Sequence, residues 1–303
     1  MSFTIKAGRR AVAISRPDKC LIPPGITKAD LATYYEEIAS VMLPHLRGRP
    51  LNFERYPDGI GAHKIFQQHA SGHFPDWIRL AEVPKSGGTV KHVIASEAAT
   101  LVYLANQACV TFHSWLSRAD HLDRPDKMVF DLDPSVHRPD EVRRAALSIV
   151  ELLEELELKP WAMTSGSRGY HLVVPLRRHA RFEIVRAFAR DFATLAAKRA
   201  PRTFTVEQRK VKRDGRILID FLRNGYAHTS VAPYSVRARE RGPVAAPLHL
   251  EELADRATRP DRFTMRATLD RVGRDGDPWR RFSAAGQTLT AARKKLDRAL
   301  AER

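Results

Sequence analysis

The chain has 303 residues, 43% of them hydrophobic, enough to bury a sizeable core as one large domain or two modest ones. Its 51 Lys and Arg against 35 Asp and Glu leave a formal charge of +16, which favours a polyanionic partner through counterion release. Cys20 and Cys109 are the only cysteines, which excludes a disulfide framework and a cysteine-built zinc site.

Residues 5–15 suit a short strand or hairpin, followed by a turn at Arg16-Pro17-Asp18-Lys19. Thr27 caps a predicted helix from Lys28 to about His45, with Leu31, Tyr34, Tyr35, Ile38 and Met42 as its apolar stripe. Pro50 to Tyr56 alternates like a strand and runs into the turn Pro57-Asp58-Gly59. A strand pair is expected between Trp77 and Ile94, and Ser96 opens a helix continuing to about Val110. The second half is more regular. A strand ends at Asp133 and leads to a helix over about 140–157. Trp161–Ser165 and Tyr170–Pro175 read as strands joined across a Gly-rich turn. A helix over about 181–199 and a strand ending near Asp220 follow, with two or three helices expected within 244–301. The alternation gives a mixed α/β core. A smaller N-terminal lobe is expected over about 1–110, and the catalytic core and C-terminal helices over 111–303.

Asp131-Leu132-Asp133 closes the apolar run Met128-Val129-Phe130. Residues two apart in a strand share a face, and two hard oxygen ligands presented that close suit Mg²⁺ or Mn²⁺. A third acid, Asp220, closes a second run, Ile217-Leu218-Ile219. Three carboxylates at the ends of two strands, in a chain of this charge, suggest metal-assisted phosphoryl transfer on nucleic acid. Taken alone, the same Asp-x-Asp pattern also marks ordinary strand ends.

Ser165-Gly166-Ser167-Arg168-Gly169-Tyr170-His171 is the second signal. Small residues let backbone N–H groups approach phosphate oxygens, and the hydroxyls, Arg168 and His171 add direct contacts. Its spacing matches neither a Walker loop nor a dinucleotide fingerprint, and a plain hairpin turn is the alternative. Arg237 and Arg239 share one face if extended, where paired guanidiniums can hold a triphosphate. Lys210, Lys212 and Arg213 precede the Asp220 strand and can track a DNA backbone. Lys28 opens a helix, a poor place for a cation unless an anion sits there, and Lys19 lies nearby across a Pro/Gly loop. Phe66, Phe74 and Trp77 are candidates for base stacking, and His113 for a nucleotide contact. Core packing is the alternative for each.

Together these residues resemble the polymerase domain of the bacterial non-homologous end-joining ligase, a branch of the archaeo-eukaryotic primase superfamily. The resemblance runs from Arg16-Pro17-Asp18-Lys19 through Leu43-Pro44-His45-Leu46-Arg47-Gly48-Arg49-Pro50 to Val129-Phe130-Asp131-Leu132-Asp133-Pro134. It continues in Thr164 to Leu172, in Ala232-Pro233-Tyr234-Ser235 with Arg237 and Arg239, and in Asp277-Pro278-Trp279. One such motif is weak; the five up to Ala232-Pro233-Tyr234-Ser235, in order, are specific. The family often carries a lysine soon after the phenylalanine matched by Phe66, whereas this chain has Gln67-Gln68-His69.

The resemblance implies an α+β, archaeo-eukaryotic primase-like fold: a mixed-sheet catalytic core with flanking helices and a smaller N-terminal lobe. It implies that Asp131, Asp133 and Asp220 are the metal-binding, catalytic acids, with Mn²⁺ (or Mg²⁺) as activator. Ser165, Ser167, Arg168, His171 and His113 match nucleotide-binding positions, with Asn224, Ser235 and Arg237 in the shared segment. Lys19 and Lys28 match lysines that read a DNA 5′-phosphate. The implied reaction is two-metal addition of NTPs or dNTPs, with ribonucleotides preferred, to a primer 3′-hydroxyl at DNA gaps or double-strand-break ends. A de novo primase, a catalytically silent DNA-end-binding module and a nuclease are the competing readings. Ku and a separate DNA ligase are implied partners. Met1, with no ligase or nuclease segment alongside, gives the expectation of a free-standing homologue. No stretch reaches the length of a membrane span and the N-terminus lacks a signal-peptide core. A cytoplasmic, nucleoid-associated protein with no membrane partner is expected, and the lack of an exposed coiled-coil pattern makes a monomer the expectation.

Overall fold

The computed structural model, which describes residues 3–302, separates into two units whose elements the sequence patterns largely explain. The first unit takes the chain up to Leu122 with Val231–Ala246 and Phe263–Asp277; the second takes Asp123–Ser230, Pro247–Arg262 and the chain from Pro278.

In the first unit, Phe3–Ala7 and Arg10–Ile14 form the expected hairpin, with Phe3 opposite Ile14. Thr27 opens helix Lys28–Glu37 in a capping box: its hydroxyl accepts from the Asp30 amide and Asp30 accepts from the Thr27 amide. The single helix expected as far as His45 is interrupted at Ile38, and a second helix spans Ala39–Leu46. No residue type at the break signals it, and the stripe of Leu31, Tyr34, Tyr35, Ile38 and Met42 is buried regardless.

Beside these helices lies a sheet containing, in order, Cys109–Trp115, Leu51–Arg55, Gly88–Val93 and Leu80–Lys85; Ile65–Gln67 also pairs with Leu51–Arg55. The helix expected to reach Val110 spans only Ala98–Asn106. Ala108 turns the chain at a φ of +59°, and Cys109–Trp115 becomes a buried strand paired with Leu51–Arg55. The β-branched and aromatic residues there gain more from that pairing than from continuing the helix.

In the second unit the sheet runs Phe204–Thr205, Ile217–Asp220, Lys127–Pro134, Tyr170–Pro175, Trp161–Thr164, Pro247–Leu248. Only the first pair is parallel. Helices Pro139–Glu155 and Phe182–Arg199 flank it. Phe130 points towards Phe182–Arg199, its ring centroid 4.6 Å from that of Phe192. Alternation then sends Asp131 and Asp133 to the opposite face, away from that helix. The 244–301 stretch supplies α-helices Met265–Asp275 and Thr290–Ala301 and short 3₁₀ turns at Leu250–Leu253 and Phe282–Ala284. Trp279 anchors the last part of the chain, donating from Nε1 to the Ala162 carbonyl at 3.0 Å. No helix among the described residues is long and apolar enough to cross a membrane.

Candidate active site

Register builds the acidic centre. On the central strand, Asp131 has His171 as its partner on one side and Asp220 on the other. Asp133 follows two residues later on the same face. Burial first, and the Asp131 charge second, raise the Asp220 pKa above the ordinary aspartate range. Arg223, one 3₁₀ turn beyond Asp220, offsets part of that repulsion. Its Nε lies 3.2 Å from Asp220 Oδ2 and 3.6 Å from Asp131 Oδ2. Arg213 Nη1 donates to Asp133 Oδ2 at 2.8 Å. Arg213 is buried and also holds the Glu207 and Gln208 carbonyls, so it does not track a DNA backbone as expected. Lys210 and Lys212 do face solvent.

Among the described residues, no three His, Cys, Asp or Glu side chains form a ready cation cage. The donor chemistry nevertheless suits a divalent cation. Three hard carboxylates crowd together, one resists ionising, and guanidinium groups stand where positive charge is demanded.

The 165–169 loop packs against this strand. Ser165 Oγ accepts from the amides of Ser167 at 3.2 Å and Gly169 at 3.1 Å, while Gly166 takes a φ of +62°. A Cβ at Gly169 would lie 1.8 Å from the Leu132 carbonyl oxygen, so only glycine allows the loop to touch the acid-bearing strand there. Ser165 therefore organises the loop, and Ser167 and Arg168 are its half-buried polar side chains. His171 is buried, with Nε2 3.3 Å from Asp131 Oδ1. Its Nδ1 has no hydrogen-bond partner among the described residues. A buried nitrogen without a partner is costly unless a ligand completes it.

Asn224 and Ser235 behave differently from the other candidates. Asn224 is fully buried; its Oδ1 accepts from the Val129 amide at 2.8 Å and its Nδ2 donates to the Val129 carbonyl at 2.7 Å. It holds the acid-bearing strand by its backbone. Ser235, also fully buried, accepts from the Phe112 amide at 2.8 Å. The geometry makes both positioning groups, not surface contacts.

The remaining candidates belong to the first unit. His113 faces Glu54, with Nε2 3.6 Å from Oε1, and Phe66 meets the His113 ring edge-on at 5.8 Å. Burial alone would raise the Glu54 pKa, but the neighbouring His113 imidazole, with Lys64, pulls it down to about 2. Arg237 and Arg239 do not share an extended face: the Arg237 amide donates to Pro243 O and the Arg239 amide to Arg237 O, which folds the segment into a turn. Phe74 is buried against Tyr103 and Trp77 lies beneath Arg10, so both are used in packing. Lys28 is buried, its Nζ donating to Ser15 O at 2.6 Å; burial, then the charges of Arg16 and Lys19, lower its pKa. Lys19 pairs with Asp58 at 2.9 Å. Three cations thus gather at one helix start. Glu54 and Arg223 were not singled out by sequence; the i+3 spacing of Arg223 from Asp220 was the one local clue.

The family described as LigD, primase-polymerase domain, matches residues 27–279. The chain belongs to that family. The multifunctional non-homologous end joining protein LigD of Pseudomonas aeruginosa is 36% identical over 301 residues, covering 97% of this chain and 35% of that protein. The bifunctional non-homologous end joining protein LigD of Bacillus subtilis is 30% identical over 256 residues, covering 84% of this chain and 41% of that protein. The chain thus spans well under half the length of these relatives. The polymerase domain of Mycobacterium tuberculosis Ligase D, solved in complex with DNA, superposes with a TM-score of 0.85 at 31% identity. That match covers 92% of this chain and all of the other. The α+β primase-like fold expected from the motifs is the fold of this family, and the chain is an enzyme of nucleotidyl transfer.

Proposed function

We propose that this LigD-type primase-polymerase domain adds nucleotides to a DNA primer 3′-hydroxyl at gaps or broken ends, in non-homologous end joining. The observation that carries the reading is the row His171–Asp131–Asp220, with Asp133 beside it and the Ser165 loop packed on the same strand. Asp131, Asp133 and Asp220 are the residues that would hold Mn²⁺ or Mg²⁺. The chemistry a bound divalent cation supplies is charge neutralisation of the triphosphate and acidification of the attacking hydroxyl. Ser167, Arg168 and the open Nδ1 of His171 bind and orient phosphate oxygens. Ser165 and Asn224 fix the loop and the strand that carry them. His113 and Arg237 are read as nucleotide contacts, with Ser235 bonded to the backbone beside His113. Lys19 and Lys28 bind the downstream 5′-phosphate, and an anion completing the cluster favours the charged form of Lys28.

Ribonucleotide preference, Ku and a separate ligase as partners, a monomeric state, a cytoplasmic nucleoid location, and one domain over 1–303 with its N-terminal lobe near 1–110 complete the proposal. The test is extension of a labelled primer across a short gap with Mn²⁺, supplying rNTPs or dNTPs, with and without a downstream 5′-phosphate. Extension stimulated by the phosphate and faster with rNTPs is expected. Synthesis without any primer would instead favour a primase. Tight DNA binding with no incorporation would favour a silent end-binding module.

A further inference from the structure

Three pieces of chain remote in sequence meet in the first unit at Asp277. His45 Nε2 lies 2.9 Å from Asp277 Oδ2, and the Tyr234 hydroxyl donates to Asp277 Oδ1 at 2.5 Å. The His45 and Asp277 side chains are only 8% and 7% exposed, and Tyr234 is wholly buried. Residue 234 has a φ of +67°, a left-handed conformation that is unfavourable for an aromatic residue. Such strain persists only where the surroundings over-determine it. Here they do. The Tyr234 amide donates to Ala245 O at 2.7 Å, its carbonyl accepts from the Tyr34 hydroxyl at 2.8 Å, and its ring is tied down by Asp277.

The strained residue sets the exit direction of the chain that follows. Ser235 Oγ accepts the Phe112 amide at 2.8 Å, next to His113. The Val236 amide donates to the Tyr35 hydroxyl at 3.0 Å, and the Arg237 amide to Pro243 O at 2.7 Å. Every residue from Tyr234 to Arg237 is thereby pinned, and the pin begins at a buried carboxylate with no other part in the chemistry. We infer that His45, Tyr234 and Asp277 form a positioning network that aims Arg237, and through Ser235 the His113 strand, at the incoming nucleoside triphosphate. This rests on the reading of Arg237 as a nucleotide contact.

The experiment is single-nucleotide incorporation into gapped DNA by Tyr234→Phe, Asp277→Asn, Arg237→Ala and the Tyr234→Phe/Arg237→Ala double variant, with DNA affinity and thermal unfolding measured alongside. Tyr234→Phe and Asp277→Asn are expected to raise the NTP KM about 5–10-fold, with kcat and DNA affinity within about twofold. Tyr234→Phe should add almost nothing in the Arg237→Ala background, because both act through one group. Unchanged KM with a lowered Tm in both network variants would overturn the proposal, leaving a core role only. Full additivity with Arg237→Ala would overturn it too. If Arg237→Ala alone leaves KM unchanged, the nucleotide role of Arg237 has failed and the network proposal falls with it. That failure is seen in a different variant from the others.

Discussion

Asp131 and Asp220 face each other as direct partners across adjacent antiparallel strands, an arrangement in which like charges repel. Burial and the Asp131 charge raise the Asp220 pKa, so the folded chain holds that proton more tightly than the unfolded chain does. The stability it gives is fully present below the ordinary aspartate range and is lost as pH rises through the raised pKa. Asp220→Asn, which keeps the acceptor for the Leu222 amide, is therefore expected to raise Tm at pH 7 and give no gain in strong acid. Thermal melts across pH check this; a variant less stable than wild type at neutral pH would contradict it.

His113 and Glu54 have the opposite sign. The Glu54 carboxyl is lowered from an ordinary 4.5 to about 2, despite burial, by His113 and then Lys64. The stability this gives is present above the ordinary range and lost as pH falls towards 2. His113→Ala should cost on the order of 1–3 kcal/mol at pH 6–7, and Glu54 should then titrate at or above the usual glutamate range. NMR titration of the Glu54 side chain distinguishes this from a carboxylate that remains strongly acidic without its partner.

At Gly169 the prediction is steric. A methyl group would meet the Leu132 carbonyl oxygen at 1.8 Å, and that neighbour is backbone, not the end of a flexible side chain that could yield. Gly169→Ala should cost about 3 kcal/mol or more, or force the loop away from the acid-bearing strand and abolish nucleotide addition. Normal stability combined with normal incorporation would contradict a steric requirement for glycine there.

Lys28 is the most informative probe of end recognition because its charge is buried beside Arg16 and Lys19. Lys28→Met keeps the aliphatic stem and removes the ammonium group. The preference for gaps bearing a 5′-phosphate should shrink about 10-fold, as expected for one charge-assisted contact. Binding to gaps lacking the phosphate should change little. Undiminished discrimination in a binding titration would remove Lys28 from that role.

Strictly local patterns carried much of this architecture. The Thr27 cap, the buried helical stripe of Leu31 to Met42, and the two acid-bearing strands were all legible from spacing. What depended on distant partners was not. The strand Cys109–Trp115 was hidden because alanine- and leucine-rich sequence runs up to it, and its identity comes from pairing with Leu51–Arg55. The turn at Arg237–Arg239 depends on Pro243, and the internal roles of Arg213, Asn224 and Ser235 depend on groups 80, 95 and 123 residues away. Residue type announced their polarity but not what they would bond.

The proposed function puts metal-dependent nucleotide addition on Asp131, Asp133 and Asp220. The most direct measurement is single-nucleotide incorporation into a gapped DNA across a Mn²⁺ titration, comparing wild type with Asp131→Asn/Asp133→Asn. Saturable, Mn²⁺-dependent incorporation by the wild type is predicted, with a loss of at least about 100-fold in the variant at unchanged DNA affinity. Incorporation by the variant at the wild-type rate and Mn²⁺ dependence would contradict the account.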